Sequence, residues 1–159
     1  MDPLLQLLER NALASPEQLA KMLQISTEDV KKRIQDLQSD GLILGYKAIL
    51  NRDKLSKDSV RAVIEVRVSP ERDGGFDRVA ERIAQFEEVK SCFLMSGAYD
   101  LLIFVEGHTL QEVASFVASK LSTLEKVHST ATHFMLKTYK DQGVIMSRAA
   151  PSERISVSP

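Results

Sequence analysis

At 159 residues, with 43% hydrophobic and 27% charged residues, the chain has room for one ordinary domain or two small ones and the composition of a globular protein, not a disordered one. No apolar run approaches the roughly 18–20 residues of a membrane span, and no basic stretch precedes an apolar signal core, so the expected location is the cytoplasm. A net charge of −1 excludes a strongly basic polyanion binder, and the single cysteine, Cys92, excludes an internal disulfide.

In chain order, Leu4, Leu5, Leu7 and Leu8, followed by Leu13, predict a helix from about Asp2 to Asn11, with Asp2-Pro3 as its opening. Ser15-Pro16-Glu17-Gln18 supplies an N-cap, a first-turn proline and a glutamine three residues on, which predicts a second helix over 16–23. After a turn at Gln24 and Ile25, Ser26 caps a third helix with Val30, Ile34 and Leu37 on one face and Gly41 placed to end it.

Two helices joined by a turn of about three residues, the second longer and polar at its start, have the layout of a helix-turn-helix. Leu19, Leu23, Ile25 and Val30 form its expected core, and Ala20 is small enough to let the helices cross closely. Residues 42–50 read as a hairpin turning near Gly45, the expected wing. The candidate contacts to duplex DNA are then Ser26, Thr27, Glu28, Lys31, Lys32 and Gln35 on the third helix, with Lys47 on the wing. The plain alternative is a three-helix packing module whose Lys31, Lys32 and Arg33 are a solvated face. Ten basic and nine acidic residues between Met1 and Arg61 leave this region nearly neutral. DNA affinity would therefore have to come from clustered charge and from several copies binding together.

Residues 51–58 are polar without apolar periodicity and read as a linker between a domain at 1–50 and another at 59–146. Val60, Ala62, Ile64, Val66 and Val68 alternate as a strand; Phe76, Val79, Ile83 and Phe86 repeat at helical spacing. A second strand is expected over 89–96, a turn over Ser96–Asp100, and a third strand over 101–106. Thr109 caps a helix carrying Leu110, Val113, Phe116, Val117 and Leu121. A long last strand is expected from Val127 to Lys140, with Thr130, Thr132, Phe134, Leu136 and Thr138 on one face, followed by a tail over 147–159 that is either disordered or an added edge strand.

Strand, helix, strand, strand, helix, strand is the ferredoxin-like order, so the expected fold class is α+β with two helices on one face of an antiparallel sheet. The second and third strands are apolar on both faces, although helices are available for only one. The economical cover for the other face is a second copy, which predicts a homodimer. Cys92 falls in this apolar run and is expected to pack, not to react.

The chain resembles the Lrp/AsnC, or feast/famine, family of transcriptional regulators over nearly its whole length. The residues that carry the resemblance are Leu19-Ala20, Ile25-Ser26, Val30, Arg33-Ile34, Leu37, Gly41-Leu42-Ile43, Gly97-Ala98-Tyr99-Asp100-Leu101, Ser129-Thr130-Ala131-Thr132 and Phe134-Met135-Leu136. The resemblance implies dimers paired through their sheets, assembly into octamers or larger rings, and an amino-acid or related small-molecule effector held between dimers. The effector candidates are Gly97, Ala98, Tyr99 and Asp100, with Thr130 and Thr132; Asp100 is the acceptor suited to an ammonium group. The alternative for the turn is a plain hairpin, and for the threonines ordinary strand preference.

The chain departs from the family in having Gln24 where a glycine is common, and it starts close to the first helix, so no dimer contact by an N-terminal arm is expected. Siroheme decarboxylases share the two-domain plan and offer an enzyme alternative, but His128 and His133, five apart on one strand, face opposite sides and make no metal pair there. No Cys/His ligand spacing, phosphate-binding glycine loop or nucleophile motif is present, so neither metal, cofactor nor catalytic residue is expected. A sensing module that has lost DNA binding is the third reading.

Overall fold

The Asp2 carboxylate accepts the Leu4 amide at 2.8 Å, and with Pro3 in the first turn it starts α1 (Pro3–Arg10). This is seen in a computed structural model that describes residues 2–55, 59–70, 72 and 74–146. The expected tail at 147–159 and the end of the linker at 56–58 lie outside the described residues. The chain divides into two compact units, Met1–Ala48 and Ile49–Pro159.

In the first unit α2 (Pro16–Leu23) opens with a reciprocal cap: the Gln18 amide donates to Ser15 Oγ at 3.2 Å and the Ser15 amide to Gln18 Oε1 at 3.0 Å. Gln24 then takes the left-handed conformation, φ 55°, and the Ile25 amide returns to the Ala20 carbonyl at 3.1 Å. Ser26 caps α3 (Thr27–Ser39) by accepting the Asp29 amide at 3.0 Å. Gly41, at φ +70°, closes it: the Leu42 amide reaches the Leu37 carbonyl at 2.9 Å and the Gly41 amide the Gln38 carbonyl at 3.1 Å. Leu4, Leu8, Leu19, Ala20 and Val30 are buried together, with Ile25, Ile34, Leu37 and Ile43 packed against them.

The expected wing hairpin does not form. Residues 43–50 pair with no strand, and Gly45 is not among the residues at positive φ. An isolated two-stranded hairpin is marginal without an apolar surface to cover it, and here Leu44 is 93% exposed.

In the second unit β1 (Val60–Val68), α4 (Asp77–Ala84), β2 (Val89–Leu94), β3 (Leu101–Gly107), α5 (Leu110–Phe116) and β4 (Val127–Phe134) build an antiparallel sheet in the order β2-β3-β1-β4. The expected ferredoxin-like order is therefore present. Ala62, Ile64, Val66 and Val68 meet Leu101, Ile103 and Val105 on one face, where Val79 and Ile83 of α4 and Val113, Phe116 and Leu121 of the α5 segment cover them. At residues 117–121 α5 widens into π-helical turns, the Ser122 amide reaching back to the Val117 carbonyl at 2.8 Å.

The last strand is shorter than expected. β4 ends at Phe134, opposite Ala62, although β1 continues to Val60: the Met135 amide still donates to the Arg61 carbonyl at 2.8 Å, but Leu136 has left the sheet and is 95% exposed. The chain then makes a separate ribbon, β5 (Lys140–Asp141) with β6 (Val144–Ile145), around Gln142 and Gly143, both at positive φ.

Candidate DNA and effector sites

α3 sorts its residues by face. Val30 is fully buried and Ile34 and Leu37 pack beneath it, while Glu28, Lys31, Lys32 and Gln35 stand exposed along the opposite side. Lys32 and the Gln35 side chain have no charged or hydrogen-bonding partner among the described residues. Lys31 Nζ lies 2.9 Å from Glu28 Oε1, and the hydrogen bond to Glu28, then its charge, hold the ammonium above the usual lysine range. Glu17 of α2 also acts on Lys31, while its own carboxyl is held low first by a backbone hydrogen bond and by the Ser15 hydroxyl.

Ser26, exposed at the helix start, is occupied with capping and also donates to Asp29 Oδ2 at 2.6 Å. Thr27 is half-buried, and Lys47 is exposed on the unpaired segment, so the structure does not bring it to α3 through a hairpin. Arg33, read as part of a solvated face, instead reaches Asp2 Oδ2 at 2.9 Å and ties α3 to the start of α1. The two residues are 31 positions apart, so spacing along the sequence carried no sign of the pair.

At the other candidate site the turn before β3 is fastened to β1. Asp100 Oδ2 accepts the Val68 amide at 2.8 Å, the Asp100 amide donates to the Val66 carbonyl at 3.1 Å, and the Met95 amide closes onto the Asp100 carbonyl at 2.8 Å. Val66 pairs with Leu101 on one side and Thr130 on the other, with Thr132 one inward-facing position further along at Ile64. Asp100 and Thr130 therefore flank β1 at the same end of the sheet, about 10 Å apart by strand spacing. Tyr99 is half-buried and Ala98 exposed. A Cβ on Gly97 would meet nothing within 4 Å, so packing inside the chain does not demand glycine there. A groove of about 790 Å³ opens elsewhere, beside Glu88, Lys90, Glu106, Glu112 and Lys120, and none of the candidate effector residues lines it.

The sheet face away from the helices carries Val63, Phe93, Leu102 and Phe104, the two rings meeting edge to face at 6.0 Å. Phe93 is 50% exposed, and α4 and α5 pack against the opposite side. His133 Nε2 sits there 3.3 Å from Glu65 Oε1, whereas His128 contacts the Ser69 hydroxyl beside a β-bulge. Cys92 turns to the helix side, and burial raises its thiol pKa, which lowers its thiolate fraction.

A helix-turn-helix with an exposed polar face, followed by a ferredoxin-like domain, defines a two-domain DNA-binding transcriptional regulator. Residues 4–43 match a winged helix-turn-helix DNA-binding domain, and residues 61–145 match the Lrp/AsnC ligand binding domain. The chain belongs to the Lrp/AsnC family. It is 44% identical over 157 residues to an uncharacterized HTH-type transcriptional regulator, YugG, of Bacillus subtilis, covering 98% of this chain and 95% of that one. It is 28% identical to a proline dehydrogenase transcriptional activator of Rhizobium radiobacter, covering 89% of this chain and 90% of the relative. The leucine response regulatory protein LrpA of Mycobacterium tuberculosis has the same fold, with a TM-score of 0.74 at 20% identity over 92% of this chain and all of that one. The relatives are transcriptional regulators, and no helix among the described residues is long and apolar enough to cross a membrane.

Proposed function

We propose that the protein acts in the cytoplasm as a homodimer, assembling to octamers or larger, and that an amino acid or related small metabolite bound between dimers changes how it engages DNA. The observation that carries this reading is the apolar sheet face opposite α4 and α5, where Val63, Leu102 and Phe104 are half-buried and Phe93 is 50% exposed, and which a second copy covers at the least cost in exposed surface. Duplex DNA meets Ser26, Thr27, Glu28, Lys31, Lys32 and Gln35 of α3, with Lys47 adding a phosphate contact. Pairing two nearly neutral DNA-binding units supplies the affinity that one lacks.

In this proposal the effector lies against Gly97, Ala98, Tyr99 and Asp100, with Thr130 and Thr132 at the same end of the sheet. The open space above Gly97 supports approach by a ligand or a neighbouring chain. The amino-acid class is supported by the match to the Lrp/AsnC ligand binding domain and by a relative named for activating proline dehydrogenase transcription. Effector and DNA are then linked through assembly: a ligand that prefers one arrangement of dimers shifts the population toward it.

The test combines a thermal-shift screen of the proteinogenic amino acids with sedimentation and gel shifts on the DNA upstream of the protein's own gene. The expected result is a dimer or larger species, DNA binding that falls steeply with salt, and at least one amino acid that changes both mass and affinity. A stable monomer at micromolar concentration, or mass and affinity indifferent to every amino acid, overturns the reading.

A further inference from the structure

Glu28 places a carboxylate in the first turn of the helix that faces DNA. It is 83% exposed, and its Oε2 has no partner among the described residues. Near a phosphate backbone such a group is unfavourable unless it finds a donor, and in the major groove the base-edge donors are the amino groups of cytosine and adenine. Its neighbour Lys31, 2.9 Å away and 52% exposed, keeps two of its three N–H donors beyond the one given to Glu28.

We propose that Glu28 and Lys31 act as one unit that reads a single C·G base pair, Glu28 accepting from cytosine N4 while Lys31 donates to guanine O6 and N7. This rests on the assignment of α3 as the groove-reading helix. The spacing fits: N4 and O6 of a C·G pair are themselves joined by a hydrogen bond of about 2.9–3.0 Å, close to the separation of the carboxylate and ammonium that would lie over them. A·T fits worse. Glu28 over the adenine amino group would have the N7 acceptor beside it, and Lys31 would find a single acceptor, thymine O4, next to a methyl group.

The intramolecular pair also removes the penalty of carrying a bare carboxylate to the DNA, because Lys31 accompanies it. Glu28 thereby acts as a specificity-determining residue with little effect on overall affinity. The same carboxylate would clash with any base edge offering acceptors alone, so discrimination comes from repulsion as well as attraction.

The experiment selects binding sites from a random duplex library with the full-length protein, Glu28→Gln and Lys32→Ala, and measures affinities for single-pair substitutions in the selected site. In the parent protein, replacing one C·G pair per half-site is expected to weaken binding roughly five- to a hundredfold. Glu28→Gln should reduce discrimination at that position to about twofold while leaving preferences elsewhere intact, with an unchanged circular dichroism spectrum. Lys32→Ala should weaken all sequences alike. If Lys32→Ala weakens binding but Glu28→Gln keeps the parent preferences, the Glu28 assignment is overturned alone. If neither substitution alters binding, the assignment of α3 falls with it.

Discussion

The Asp100 carboxylate accepts the backbone amide of Val68 at 2.8 Å, so the turn that carries the effector candidates is held to the end of β1 by one of those candidates. Asp100→Ala would leave a part-buried amide without its partner, and a loss of about 1–3 kcal/mol in urea unfolding is expected. Asp100→Asn retains an acceptor and should lose less. If Asp100 also receives the effector's ammonium group, calorimetric titration with the amino acid identified by screening should show at least a tenfold loss of affinity in the Asn variant, whose charge is gone. Unchanged binding by that variant would confine Asp100 to fastening the turn.

Gln24 adopts a left-handed conformation that costs a residue with a side chain roughly 1–2 kcal/mol. Gln24→Gly removes that strain but adds freedom to the unfolded chain, offsetting about 0.5–1 kcal/mol. A net stabilisation of up to about 1 kcal/mol in denaturant unfolding is expected, with DNA affinity unchanged. A less stable variant contradicts the strain argument.

Glu106 joins the Arg52 guanidinium at 2.5 Å and the Ser59 hydroxyl at 2.8 Å. Burial raises its pKa, but the Ser59 hydrogen bond and the Arg52 charge outweigh burial and leave the carboxyl below the usual glutamate range. A depressed folded-state pKa contributes stability that is present above the unfolded value and is lost as pH falls through the folded one. The stability gap between the parent and Glu106→Gln should therefore narrow on acidification into and below the ordinary glutamate range. Denaturant midpoints measured across that range would refute this if the gap widened.

Phe93 and Phe104 share the sheet face opposite α4 and α5. Phe93→Glu would put a charge where a second copy is proposed to pack, without touching the helix-side core. Sedimentation should show a shift from dimer or larger species to monomer at micromolar concentration, with the circular dichroism spectrum retained. An unchanged mass places the interface elsewhere.

The cap at Ser15, the cap at Ser26 and the stop at Gly41 were legible because each depends on residues within five positions of itself. The same holds for the alternation in β1 and the helical spacing of Val79 and Ile83, which set the ferredoxin-like order. Asp141-Gln142-Gly143, just beyond the strand expected to end at Lys140, is a tight hairpin signal of the same local kind.

The amino-acid sequence on its own determined where the helices and the four strands of the main sheet begin, how the helices are capped, and which faces are apolar, because those properties arise between near neighbours along the chain. Tertiary structure alone decided that β4 stops at Phe134, that residues 43–50 remain unpaired, that Arg33 binds Asp2, and that Asp100 anchors to Val68. Where a strand leaves its sheet and which charge a side chain meets both depend on what the packed core brings alongside, and those partners are remote in sequence. Neither partner can be read from spacing.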